Sequence, residues 1–161
     1  MVHLIRMLST SPDRTRDLGK MLGKALSAGD VVALVGDLGS GKSVMARGIL
    51  EALGVEGDMP SPSFVIVASY RTPIPVNHVD LYRLEGVGDA LDIGLDDLLY
   101  SDCISVVEWA DRLGDFLPPG SIRVELRPMD RREHRLISLG AVEPEVNARL
   151  EALVRSLVRF G

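Results

Sequence analysis

"DVVALVGDLGSGKS", Asp30 to Ser43, is the stretch on which the reading of the whole chain turns. Val31 to Val35 form an unbroken apolar run, the pattern of a strand buried on both faces of a parallel sheet. The eight residues that follow, Gly36, Asp37, Leu38, Gly39, Ser40, Gly41, Lys42 and Ser43, match G-x-x-x-x-G-K-[ST] in full. Gly36, Gly39 and Gly41 permit backbone angles that a Cβ would forbid, so successive N–H groups can turn inward as an anion nest. A helix opening at Lys42 aims its positive end at the same spot. Lys42 is then placed to reach β and γ phosphates, and the Ser43 hydroxyl to ligate Mg²⁺. The alternative is a chance match in a loop that needs glycines only to turn. The strand before the loop and the helix after it favour a nucleotide-phosphate site.

ATP is the expected nucleotide. The guanine-reading N-K-x-D is absent, and "DRLG" at 111–114, which formally fits D-x-x-G, lies several residues beyond its strand and reads as coincidence.

The flanking sequence extends the same architecture in both directions. "VHLIRML" reads as an opening strand, and Ser11 with Pro12 marks a helix start that Gly29 would stop. Leu18, Met21, Leu22, Ala25 and Leu26 give that helix one apolar face. The helix from Lys42 should run to about Leu53, closed by Gly54. "SFVIVASY" (63–70) and "PVNHVDLY" (75–82) read as two strands joined by "RTPI". "GDALDIGLDDLLY" reads as broken helix, and "CISVVE" (103–108) as a second buried strand. "SIRVELR" and "HRLISLG" alternate around a polar turn, and from Pro144 an amphipathic helix closes the chain. The expected fold class is therefore α/β: a three-layer sandwich of the phosphate-loop NTPase kind. Its central sheet should be mixed but largely parallel, with a C-terminal antiparallel hairpin, in one domain over residues 1–161.

Bulk properties narrow the function classes. Apolar residues are 46% and charged residues 25% of 161, an ordinary globular composition with no run near the ~20 apolar residues of a membrane span. No signal-peptide pattern opens the chain, so a soluble cytoplasmic protein is expected. The single cysteine, Cys103, excludes an internal disulfide and a cysteine zinc cluster, and reads as a small buried residue. A net charge of −5 argues against broad nucleic-acid binding. The basic run "RPMDRREHR" (127–135) reads as a solvated turn, with Arg135 as the exception.

Phosphate-loop enzymes hold Mg²⁺ from the far side with an acid at the end of a central strand. Two acids compete for that place. Glu108 ends the uninterrupted "CISVV", whereas Asp80 ends "VNHVD", whose Asn77 and His78 make it look peripheral. Strand character favours Glu108, while spacing alone leaves Asp80 nearly level. The bland alternatives are an exposed strand-end carboxylate for Glu108 and a turn cap for Asp80. His78, a lone imidazole, reads as a structural histidine rather than a base.

Four blocks now stand in order: "GDLGSGKS", "SPSF" (61–64), "HVDLYR" (78–83) and "EWADR" (108–112). Together they resemble the TsaE family of small bacterial ATPases required for threonylcarbamoyladenosine modification of tRNA. That family runs G-D-L-G-A-G-K-T, S-P-T-F/Y, H-x-D-x-Y-R and E-W, so Ser40, Ser43 and Ser63 replace its alanine and two threonines. The resemblance implies ATP and Mg²⁺ as cofactors, with Lys42 and the loop on the phosphates and Ser43, Glu108 and Asp80 at the metal. Lys42, Asp80 and Glu108 would be the catalytic residues. It implies Trp109 beside the nucleotide, Ser63 in a switch segment, Arg135 on the nucleotide side, and Ser11 or Thr15 at the base. It also implies partners: TsaD and TsaB would perform the modification, tRNA would be met through their complex, and ATP hydrolysis would reset that complex. A small-molecule kinase is the rival reading, although no lid insertion is visible; a non-catalytic nucleotide-dependent module is the third.

Overall fold

The computed structural model describes residues 5–59 and 66–160. Within them, seven strands form one sheet in the order β1-β7-β6-β2-β5-β4-β3. The strands are β1 (Ile5–Ser9), β2 (Val31–Val35), β3 (Val67–Tyr70), β4 (Val76–Asp80), β5 (Ile104–Glu108), β6 (Ile122–Pro128) and β7 (Arg135–Gly140). β6, β2, β5 and β4 pair in parallel at the centre, while β3, β7 and β1 join through antiparallel pairs. Only β3 and β7 therefore run against the other strands, which agrees with the mixed, largely parallel sheet expected from the sequence.

Three layers follow from the alternation of β2. Val32 and Leu34 enter one core with side chains from α1 (Pro12–Lys24), α2 (Lys42–Ala52) and α5 (Pro144–Phe160). Val31 and Ala33 enter a second core on the other face, under α3 (Val87–Asp92), α4 (Leu95–Leu99) and two 3-10 turns that follow β5. Gly94, at φ +74, breaks α3 from α4, as the "broken helix" reading required.

The Ser11 side chain caps α1 by accepting from the Arg14 N–H at 3.1 Å, and Pro12 sits in the first turn. The helix nevertheless ends at Lys24, five residues short of Gly29; Ala25 caps it, and Leu26 still packs into the core from the connecting segment. α1 and α2 approach so closely that a Cβ on Gly48 would lie 2.1 Å from the Arg16 carbonyl oxygen, and one on Gly19 2.4 Å from that of Met45. Arg16 also pairs with Glu51 across this contact.

Two expectations need correction. β4 is not peripheral: it lies between β5 and β3, with Val76 to Val79 buried. Its polar residues are tolerated inside because each finds a partner on a neighbouring strand. Asn77 Oδ1 accepts from Ser69 Oγ on β3 at 2.7 Å, and His78 Nε2 lies 2.6 Å from a Glu108 oxygen on β5. Cys103 is only half-buried, one residue before β5 begins.

Candidate functional site

β2 delivers the chain to the glycine-rich loop at the C-terminal edge of the central strands, where open α/β sheets bind ligands. Gly39 and Gly41 adopt φ of +78° and +103°, which side chains rarely tolerate. Gly41 occupies the N-cap of α2 and supplies no side-chain cap, so the helix presents its first-turn N–H groups at the loop. The Lys42 ammonium folds back onto the loop, donating to the carbonyls of Gly36 at 2.5 Å and Asp37 at 2.8 Å. Burial holds its pKa below the usual lysine range, against the opposing pull of Glu108.

The second acid comes from β5. Glu108 is 2% exposed, so it is not the solvated strand-end carboxylate of the bland reading. One of its oxygens accepts from the Ser43 hydroxyl at 2.8 Å, joining β5 to the first turn of α2. Asp80 stands directly beside it, because the β4–β5 register pairs Asp80 with Glu108. Asp80 does cap a turn, accepting from the Tyr82 N–H at 2.9 Å, and it also lines the cleft. Burial raises its pKa first; the Tyr82 N–H opposes that, and the Glu108 charge adds to it.

Trp109 follows with φ +59°, a strained left-handed conformation for a bulky residue that swings the indole over the loop. The Lys42 ammonium lies 4.0 Å from its ring centroid, and the Tyr82 ring packs at 5.2 Å. Lys42, Ser43, Asp80, Tyr82, Glu108 and Trp109, with Leu38 and Gly39, line an open cleft of 430 Å³, within the size range of small-molecule sites.

Behind the loop lies a smaller cleft of 190 Å³, lined by Pro12, Thr15, Gly39, Gly41, Val44, Glu133 and Arg135. Arg135 donates to the carbonyls of Ser40 at 3.0 Å and Gly39 at 3.1 Å, so the β6–β7 hairpin buttresses the loop from outside. The rest of the basic turn, Arg127 to Glu133, is exposed, as expected of a solvated turn. Thr15 reaches this cleft, but its hydroxyl is buried against Ser9 at 2.7 Å. Ser11 is engaged as the cap of α1 and lines neither cleft. Ser63 lies outside the described residues.

Sequence reasoning missed Tyr82 and Arg112. Both sat inside quoted blocks, "HVDLYR" and "EWADR", but their role depends on the turn Trp109 makes. The Arg112 guanidinium lies 5.7 Å from the Tyr82 ring and 5.5 Å from that of Trp109, and donates to the Leu84 carbonyl at 2.8 Å.

The oxygens of Ser43, Glu108 and Asp80 are hard donors of the kind Mg²⁺ prefers. No group of three or more His, Cys, Asp or Glu side chains is set for a metal among the described residues.

A family model described as Threonylcarbamoyl adenosine biosynthesis protein TsaE matches residues 9–137. A tRNA threonylcarbamoyladenosine biosynthesis protein TsaE from Streptomyces coelicolor is 44% identical over 115 residues, covering 69% of this chain and 77% of its own. The protein of that name from Treponema pallidum is 33% identical over 76% of this chain and 91% of its own. The one from Bacillus subtilis is 30% identical over 84% and 87%. The crystal structure of Bacillus subtilis YdiB superposes with a TM-score of 0.82 at 27% identity, covering 97% of both chains.

Proposed function

The chain belongs to the TsaE family, and on that premise we propose that it serves threonylcarbamoyladenosine modification of tRNA as a Mg²⁺-dependent ATP-binding and ATP-hydrolysing protein. It acts in the cytoplasm with TsaD and TsaB, meets tRNA through their complex, and resets that complex between turnovers. No helix among the described residues is long and apolar enough to cross a membrane.

The observation that carries this reading is the buried bond between Ser43 and Glu108. It brings a loop hydroxyl and a strand-end carboxylate, 65 residues apart, to one point beside Lys42, as a phosphate-loop hydrolase requires. Ser43, Glu108 and Asp80 would hold Mg²⁺ there, and the ion would supply neutralising charge to the phosphates. Lys42 leaves the carbonyls of Gly36 and Asp37 for the β and γ phosphates, whose negative charge offsets the cost of its burial. The N-terminus of α2 and the loop N–H groups hold the phosphate oxygens, and Asp80 orients water against the γ-phosphate. The cleft between Thr15 and Arg135 takes the base, and Trp109 shields the phosphates from solvent.

ATP turnover by the isolated chain, and again with TsaD and TsaB, tests the proposal. Slow release of free phosphate that the partners stimulate is the expected result, and a phosphorylated metabolite would instead assign a kinase. Lys42→Ala should lower turnover by roughly 100-fold or more, because it removes a preorganised cation from the transferring group. Unchanged affinity and turnover in that variant would sink the assignment. Glu108→Ala should impair hydrolysis more than nucleotide binding, and equal losses would count against its place at the metal.

A further inference from the structure

Glu108 has two oxygens, and Ser43 uses only one. The other lies 2.6 Å from Nε2 of His78, a residue that the functional reading above leaves idle. Both members of this second contact are buried, His78 at 5% and Glu108 at 2% exposure. Alternation along β4 puts Val76, His78 and Asp80 on one face, and the register pairs Asp80 with Glu108 and His78 with Val106. His78 is thus the diagonal cross-strand neighbour of Glu108, and its ring reaches across to the Glu108 carboxylate. Its other ring nitrogen, Nδ1, is buried with no hydrogen-bond partner among the described residues. Among the described residues, the polar attachment of the ring is therefore to Glu108. A histidine retained merely to pack would not need to aim its one satisfied nitrogen at the acid of the site.

We propose that His78 is a positioning residue, fixing the rotamer of Glu108 so that its remaining donor capacity faces Ser43 and the cation of the phosphate site. A carboxylate held by Ser43 alone could turn about its side-chain torsions; held at both oxygens it cannot. With Nε2 carrying the ring proton, His78 donates to one Glu108 oxygen and leaves the other to Ser43. This arrangement parallels the outer partners that orient metal ligands elsewhere, whose removal typically costs about 10- to 100-fold in metal affinity.

The inference rests on the Mg²⁺–ATP reading, and its test separates the two. His78→Gln and His78→Met are nearly equal in size and shape, but only glutamine retains an N–H that can reach Glu108. Binding of ATP to the full chain is measured by calorimetry in EDTA and across a Mg²⁺ titration, with thermal unfolding followed in parallel. His78→Gln should keep the Mg²⁺ requirement of the wild type. His78→Met should raise the half-saturating Mg²⁺ by roughly 10- to 100-fold while its metal-free ATP affinity stays unchanged. Equal Mg²⁺ requirements in the two variants would overturn the proposal. So would a methionine variant that loses metal-free and Mg²⁺-supported binding alike. If the wild type binds ATP with no response to Mg²⁺, the metal reading itself falls and the positioning role falls with it.

Discussion

Asp80 and Glu108 are register partners at the ends of adjacent strands, yet their surroundings separate them. Glu108 has hydrogen bonds at both oxygens, whereas Asp80 is held by one backbone N–H, and burial keeps its carboxyl above the usual range. A carboxyl whose pKa is raised by folding binds protons more tightly in the folded than in the unfolded chain. Its ionisation therefore subtracts stability as pH rises from the ordinary carboxyl range through the raised one. Asparagine at 80 removes the charge but keeps an oxygen for the Tyr82 N–H. Asp80→Asn should consequently raise the Tm of the nucleotide-free and metal-free protein at pH 7. That gain should shrink as pH falls towards about 4, the ordinary carboxyl range. Calorimetric melts across that interval check it, and a variant that is less stable at pH 7 would refute the sign. The sequence made Glu108 legible through the apolar run before it. Strand character alone could not show that Asp80 would stand beside it, because Asn77 and His78 disguise β4 as an outer strand and their partners lie on other strands; only the resemblance of "HVDLYR" put the two acids together.

At the level of elements, start signals were the most readable. Ser11 and Pro12 marked the opening of α1 because capping is local chemistry, and the phosphate-loop motif marked that of α2 at Lys42. The end of α1 was misplaced since Leu26 continues the apolar pattern after the helix has stopped, serving the core from a non-helical segment. The closeness of α1 and α2 was not legible at all: an amphipathic stripe says which face is buried, not how near the facing backbone comes. Gly48 carries that contact. An alanine there would press its Cβ to 2.1 Å from the Arg16 carbonyl oxygen, which is backbone and cannot rotate away. Gly48→Ala should cost about 1–3 kcal/mol despite alanine's better helix propensity. Gly88, in α3, has open space where its Cβ would be, so Gly88→Ala should stabilise, by up to about 1 kcal/mol. Chemical denaturation of the pair gives opposite signs if packing decides the first and propensity the second.

Across the whole molecule, the parallel centre β6-β2-β5-β4 was foreseeable from two uninterrupted apolar strands and the loop between strand and helix. The hairpin was foreseeable from the alternation of β6 and β7, but not its purpose: only the sheet order carries Arg135 to Gly39 and Ser40, 96 and 95 positions away. A second long-range tie closes the chain at the opposite end of β2 from the loop. Arg149 on α5 grips Asp30, the residue before β2, through two bonds of 2.9 Å, and also donates to the Ala25 carbonyl just past α1. One guanidinium thus fastens the last helix to both ends of the α1–β2 connection, from which the strand runs into the phosphate loop. The Asp30 carboxylate raises the pKa of Arg149, so the guanidinium stays charged at any ordinary pH. Its side chain is 37% exposed, so solvent screening keeps its worth below the ~1.5–3 kcal/mol of a buried charged hydrogen bond. Arg149→Ala should therefore lower stability by about 1 kcal/mol, a Tm loss of roughly 2–4 °C for a chain of this length. Val146 and Leu150 still anchor α5 in the core, so the loss should show first as faster amide exchange in α5 and around Asp30. Exchange unchanged there, with Tm at the wild-type value, would mean that apolar packing alone holds the helix.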